Sequence, residues 1–159
     1  MRVDDGSDVP EELSDSPAVI LAQYLRDVAL FVDPDESGAW PLYIDFTPDG
    51  KNVKDDVGTV YDTTGVKDGR LMSGQNIFHY GVQIRIRCVV PSDGWTKAKS
   101  VRGNLAVVRN ETVTVEGNEY EIKNVSATTN IVSLGQEPGM KRRELFTINY
   151  LLTIKIINN

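Results

Sequence analysis

A single cysteine and a single histidine among 159 residues set the first limits on what this chain does. Cys88 alone builds neither an internal disulfide nor a cysteine-ligated metal site. A histidine-based triad or a catalytic zinc site would have to run through His79, and the sequence around it supplies no nucleophile or further soft ligand. Its place beside Tyr80, just ahead of a strand pattern, favours a structural or surface role. No apolar run approaches the roughly 20 residues of a membrane-spanning helix. The N-terminus shows neither the basic flank nor the apolar core of a secretory leader, so a protein made and used in a cytoplasm is expected. The sequons at Asn110 and Asn124 then carry no meaning. Phosphate-cradling patterns are missing too, because Gly65, Gly69 and Gly74 follow neither dinucleotide-binding nor P-loop spacing.

What is present is an ordinary globular composition, 40% hydrophobic and 25% charged. The length suits one domain, which at this size buries roughly two-thirds of its unfolded surface. The net charge of −6 is unevenly placed. Residues 1–15 carry six acids against Arg2, which leaves only −1 for the rest. That acidic segment has few apolar residues, and it is expected to be a disordered tail ahead of a single domain at 16–159. Within the domain, residues 33–62 hold eight acids and two lysines, whereas 85–110 hold six bases and one acid. Such polarity suits electrostatic matching, within the fold or between neighbouring subunits, better than nucleic-acid binding.

The pattern opens with a helix. Ser16-Pro17 offers a capping hydroxyl and a first-turn proline, and Ile20, Leu21, Tyr24, Leu25 and Val28 then draw one apolar stripe that Pro34 closes off. Trp40, Leu42, Ile44 and Phe46 alternate as an edge strand beside Pro41. After a turn at Pro48-Asp49-Gly50 and a short strand at 58–61, the glycine-rich stretch 62–76 reads as a long loop. Gly81 opens the clearest strand, with Val82, Ile84, Ile86, Cys88 and Val90 on one face and Gln83, Arg85 and Arg87 on the other. Cys88 therefore reads as a small buried hydrophobe. A second helix is expected from Trp95 to about Arg109, with Trp95, Ala98, Val101, Leu105 and Val108 inward, Lys97, Lys99 and Arg102 outward, and a close packing contact at Gly103. A hairpin turns at 116–119, a short strand spans 131–134, and 145–157 forms the longest strand. The order α-β-β-β-α-β-β-β-β predicts an α+β fold: a mostly antiparallel sheet with two amphipathic helices packed on one face.

Several stretches imitate chemistry. Asp33-x-Asp35-x-Ser37-Gly38 opens like a calcium loop, but Ile44 stands where a bidentate glutamate is needed, so a polar turn is expected. Asp55-Asp56 are adjacent on an extended stretch and face apart, which suits a solvated surface better than an acid–base pair. Lys141-Arg142-Arg143 reads as a solvated basic loop, with DNA or an acidic partner as the sharper alternative. No catalytic residue, cofactor or metal site emerges, and the chain reads as a non-enzyme.

Read in order, several segments resemble the tail terminator, or minor capsid, family of tailed bacteriophages. They are the opening helix, Trp40-Pro41-Leu42-Tyr43-Ile44, Val60-Tyr61-Asp62-Thr63-Thr64-Gly65, Gly69-Arg70-Leu71-Met72, 81–87 with the helix after it, and 143–150 on the last strand. The resemblance spans roughly 16–157 and leaves the acidic first 15 residues outside it. It implies a structural virion protein at the neck, assembled in the host cytoplasm as a ring, typically a homohexamer. Such a ring caps the head-proximal end of the tail tube, ends tube polymerisation and presents a surface for head joining. The implied partners are other copies of itself, the tail tube protein and a head connector or completion protein, with DNA only passing through the lumen and no membrane. Candidate interface residues are Asp62, Gly65, Gly69, Arg70, Met72, Arg85, Arg87, Lys141, Arg142 and Arg143. A head-completion protein of the same neck is one alternative. A monomeric ligand-binding or enzymatic α+β domain is another, for which the sequence offers no convergent polar cluster.

Overall fold

The computed structural model describes residues 13–70, 76–137, 139 and 142–158. The first helix, α1 (Pro17–Asp27), begins where the sequence predicts, with Ser16 Oγ accepting from the Val19 amide at 3.3 Å. It ends well before Pro34, because Ala29 takes a left-handed φ of 60° and the Leu30 amide turns back to Leu25. Strand β1 (Leu42–Ile44) is only three residues long, since Trp40 (φ 61°) and Asp45 (φ 66°) break the extended backbone on either side. Phe46, expected on the buried face, is therefore 64% exposed.

The long loop expected at 62–76 is instead mostly strand. β2 (Val57–Arg70) and β3 (Asn76–Cys88) run antiparallel, from Val57 opposite Arg87 to Arg70 opposite Asn76. Helix α2 (Pro91–Leu105) starts one turn earlier than expected, with Pro91 in its first turn. This shift moves Trp95 to the rim, where it is 45% exposed and meets Phe146 edge-on at 6.2 Å. Ala98, Val101, Leu105 and Val108 remain inside, as the stripe predicts. Gly94, not Gly103, is the close-packed glycine: a Cβ there would overlap Cys88 Sγ, whereas Gly103 faces open space.

The remaining strands are β4 (Arg109–Val115), β5 (Asn118–Ala127), β6 (Val132–Gln136) and β7 (Glu144–Asn158). The main order is β1-β2-β3-β7-β5-β4, with β6 also on β7 and only β1–β2 parallel. The inward sets pair across the centre as Val82 with Tyr150, Ile84 with Ile148, and Ile86 with Phe146. Each fully buried aliphatic here contributes about 1.5–3 kcal/mol. Helix α1 touches β1 and β2 at one end of the order and β4 at the other, so the sheet curls around it. Tyr24 then reaches Asn104 of α2 at 3.2 Å, and Arg26 donates to the Leu42 carbonyl at 2.6 Å. The fold is α+β, with both helices against a curled, mostly antiparallel sheet. Among the described residues no helix is long and apolar enough to cross a membrane.

Candidate functional site

The candidate interface residues divide between the two ends of β3. At one end β2 and β3 leave the sheet as an arm. The β3–β7 ladder stops at Tyr80 opposite Leu152, while β2 and β3 stay paired through Val66–His79, Lys67–Phe78 and Arg70–Asn76. The outer side of β2 is paired by β1 only at Gly58–Val60. Beyond Val60, β2 has no strand on that side among the described residues.

A register shift between Thr63 and Val66 sits at the base of the arm. There a Cβ on Gly65 would overlap the His79 carbonyl oxygen, and one on Gly81 would overlap Thr63 Oγ1 and the Thr64 carbonyl. Glycine is needed at both places because the two backbones cross closely. Beside this crossing a cavity of about 360 Å³ opens between Pro17, Asp62, Phe78 and Tyr80. Asp62 is exposed, and its carboxylate accepts the Ala18 amide at 2.9 Å, which ties the start of α1 to the arm. Gly69 lies on β2 in the register shift between Lys67 and Arg70, Arg70 pairs with Asn76, and Met72 falls outside the described residues. His79 Nδ1 lies 2.9 Å from Thr153 Oγ1, a structural link to β7.

At the other end two of the basic residues, Arg87 and Arg143, are buried within the chain. Arg87 is 2% exposed, although strand alternation places it on the face away from the helices. Loop 47–56 folds over that face, and the guanidinium donates to the carbonyls of Pro48, Lys54 and Asp55 at 2.9–3.0 Å. Burial pushes its pKa down, with the neighbouring Arg143 adding to the effect. Arg143 is 3% exposed and bridges Asp49, Asp55 and Glu137 at 2.9, 3.4 and 2.6 Å. Its hydrogen bonds to Asp49 hold its own pKa up and draw the Asp49 carboxyl down to about 2. Of the two kinds of charge matching the sequence allows, Arg87 and Arg143 take the one within the fold, and the expectation that Arg143 belongs to a solvated loop is corrected. Both arginines answer the acidic loop inside one chain.

Arg85 is half-buried, stacked over Tyr61 at 5.2 Å, with Nη2 3.4 Å from Gln83 Oε1. Arg142 is exposed, and Lys141 lies outside the described residues. Lys97, expected in solvent, is half-buried over Phe31 (4.7 Å) and Trp40 (5.6 Å), and it donates to the Leu30 carbonyl. Burial pushes the Cys88 thiol up to about 11, so it sits in the core as a protonated, unreactive group. Asp33 Oδ1 accepts the Asp35 amide at 2.9 Å, a local polar turn where the calcium-like spacing occurs.

The anchors that sequence reasoning missed are loop partners. Asp15 belongs with the domain, not with the acidic tail: its Oδ2 accepts from Tyr120 Oη at 2.6 Å and from Asn118 Nδ2 at 3.2 Å. Leu13 also packs against the core.

The geometry defines a curled α+β domain with a projecting two-stranded arm. No family model matches this chain, and no curated protein matches it. Among solved structures, one whose name states no activity aligns over 91% of this chain and 99% of its own, at 17% identity and a TM-score of 0.43. So distant a likeness assigns neither a family nor an activity.

Proposed function

We propose that this chain is a non-enzymatic structural protein of a tailed phage, capping the head-proximal end of the tail tube as a ring of identical subunits. The ring ends tube polymerisation and offers a surface to the head connector or completion protein, while DNA passes through its lumen. The observation that carries the reading is the β2–β3 arm. Among the described residues its ladder beyond Tyr80 is made by β2 and β3, and no strand pairs the outer side of β2 past Val60. An isolated two-stranded ribbon is marginal in water and gains stability from a further strand or an apposed surface. A two-stranded arm of this kind therefore fits a subunit built for assembly. The segments that resemble tail terminators also fall on the elements that frame this arm: 60–65 on β2, 81–87 on β3 and 143–150 on β7.

The test is deletion of the gene from its parent phage, with the lysate viewed by negative-stain electron microscopy. Overlong or uncapped tubes beside unattached filled heads are expected. Tails of normal length that fail to join heads would reassign the chain to head completion. Intact infectious particles would reject a structural role in the neck.

A further inference from the structure

Sheet edges in soluble proteins are usually blunted by short length, charge, kinks or cover. In this molecule the edges are treated unequally. β1 is three residues long, bracketed by left-handed Trp40 and Asp45, and bridged on its outer side by Val32. β4 carries Arg109 and Glu111 and is kinked at Asn110 (φ 54°).

Two edges are treated differently, although each carries one register shift, between Thr63 and Val66 in β2 and between Ser133 and Gly135 in β6. From Tyr61 to Val66 the outer side of β2 bears one charge, Asp62, whose carboxylate is already engaged by the Ala18 amide. β6 has no charged residue and no proline, and all five of its residues are exposed. The register shift falls on Leu134, and among the described residues no strand pairs the outer side of β6. Exposed aliphatics mark both edges: Val66 at 49%, Val132 at 43% and Leu134 at 50%.

β2 and β6 lie on opposite flanks of one sheet, in the path β2-β3-β7-β6. They are also offset along the strands, since β6 lies beside Glu144–Thr147 while the arm departs beyond Tyr80 at the far end. The geometry points to strand addition between copies of this chain, with the β2 edge 61–66 of one copy hydrogen-bonding to β6 of the next and Val66 lying against Val132 and Leu134. The contact is heterologous: each copy uses one edge and offers the other, so repetition closes into a ring when the rotation allows. Its biological role rests on the ring reading above, while its chemistry is that of edge-strand addition.

The full-length protein is purified as two variants, Val66→Cys and Leu134→Cys, which are mixed and oxidised. Cys88 is buried and does not compete. A disulfide-linked dimer is expected in the mixture and not in either variant alone. A dominant Val66→Cys homodimer, no cross-link, or a chain that stays monomeric at every concentration reached overturns the inference. In parallel, Val132→Lys with Leu134→Lys is expected to weaken self-association roughly a hundredfold in analytical ultracentrifugation at an unchanged melting temperature. Unaltered association in that variant also overturns it. Rings that persist in the lysine variant would remove this interface and leave the tube-cap reading standing. A specific cross-link together with normal tails in the deletion phage would do the reverse.

Discussion

Arg143 and Asp49, 94 residues apart in the chain, meet as a two-point ion pair, with Nη2 2.9 Å from Oδ2 and Nη1 3.2 Å from Oδ1. Arg143 is nearly enclosed while Asp49 is largely open, so the pair pins an exposed loop to a buried guanidinium at the start of β7. Asp55 and Glu137 share the same cation, and Arg87 holds the carbonyls on either side of the loop. One end of the sheet is thereby closed by two arginines, and at the other end the arm runs on past the last β3–β7 pair.

Acid titration reports on this closure. Folding lowers the Asp49 pKa from 3.8 to about 2, so the folded protein binds fewer protons than the unfolded chain between those values. The stability contributed by this group is complete above the ordinary carboxylate value and is lost as pH falls towards 2. Between about pH 4 and pH 2 the melting temperature of the parent is expected to fall more steeply than that of Asp49→Asn. Equal slopes would show that Asp49 does not couple acid to folding.

Arg87 and Arg85 stand two residues apart on the same strand face and should respond very differently to replacement. Removing the Arg87 guanidinium strands three part-buried carbonyl acceptors and leaves a gap under loop 47–56, at a cost of roughly 2–3 kcal/mol. Arg85→Met retains apolar contact with Tyr61 and gives up a weak cation–π interaction, about 1 kcal/mol or less. Urea unfolding of Arg87→Met and Arg85→Met measures the contrast. Similar losses would mean that the carbonyl cluster around Arg87 contributes little.

These arginines also mark where the sequence stops being informative. The element order, the inward sets of β3 and β7 and the cap at Ser16 are local or periodic features, and the sequence pattern contains them. Two-residue alternation assigns Arg87 to the face away from the helices, and that assignment is right. What alternation does not contain is that loop 47–56 returns to cover this face, because a loop's path is set by distant partners such as Arg143. The arm was hidden for a different reason. Its glycines and polar residues look like a loop, yet Gly65 and Gly81 are there because two strands cross closely. Glycines at 65 and 81, on two stretches that face each other near Thr63 and His79, were the available signal.

Two glycines in α2 provide a further contrast. Gly94→Ala would drive a Cβ into Cys88 Sγ and within 2.9 Å of Phe146, between a buried strand and its helix. A loss of about 1–3 kcal/mol is expected from overpacking. Gly103→Ala meets nothing within 4 Å on an exposed helical surface, and a gain of about 0.5–1 kcal/mol follows from helix propensity alone. Thermal denaturation of both variants checks the pair. A destabilised Gly103→Ala would mean that this surface is covered by something other than water.

The β4–β5 hairpin offers a test of backbone strain that involves no packing. Its two central residues, Glu116 and Gly117, have φ values of 46° and 87°, and Val115 pairs directly with Asn118. A two-residue turn with both central φ angles positive has the hand that matches strand twist, and it favours Asn-Gly. Gly117 meets the requirement without strain. Glu116 does not, since its Cβ is crowded in left-handed backbone by about 1 kcal/mol. Asparagine tolerates that region better because its short side chain bonds locally. Glu116→Asn is therefore expected to raise stability by about 0.5–1 kcal/mol, measured by urea unfolding, with slower amide exchange across Val113 and Tyr120. Glu116→Val, β-branched at the same position, should lose about 1 kcal/mol or more. If both substitutions were neutral, the turn would not adopt the left-handed pair in solution, and the register from Arg109 to Val115 would need another cause.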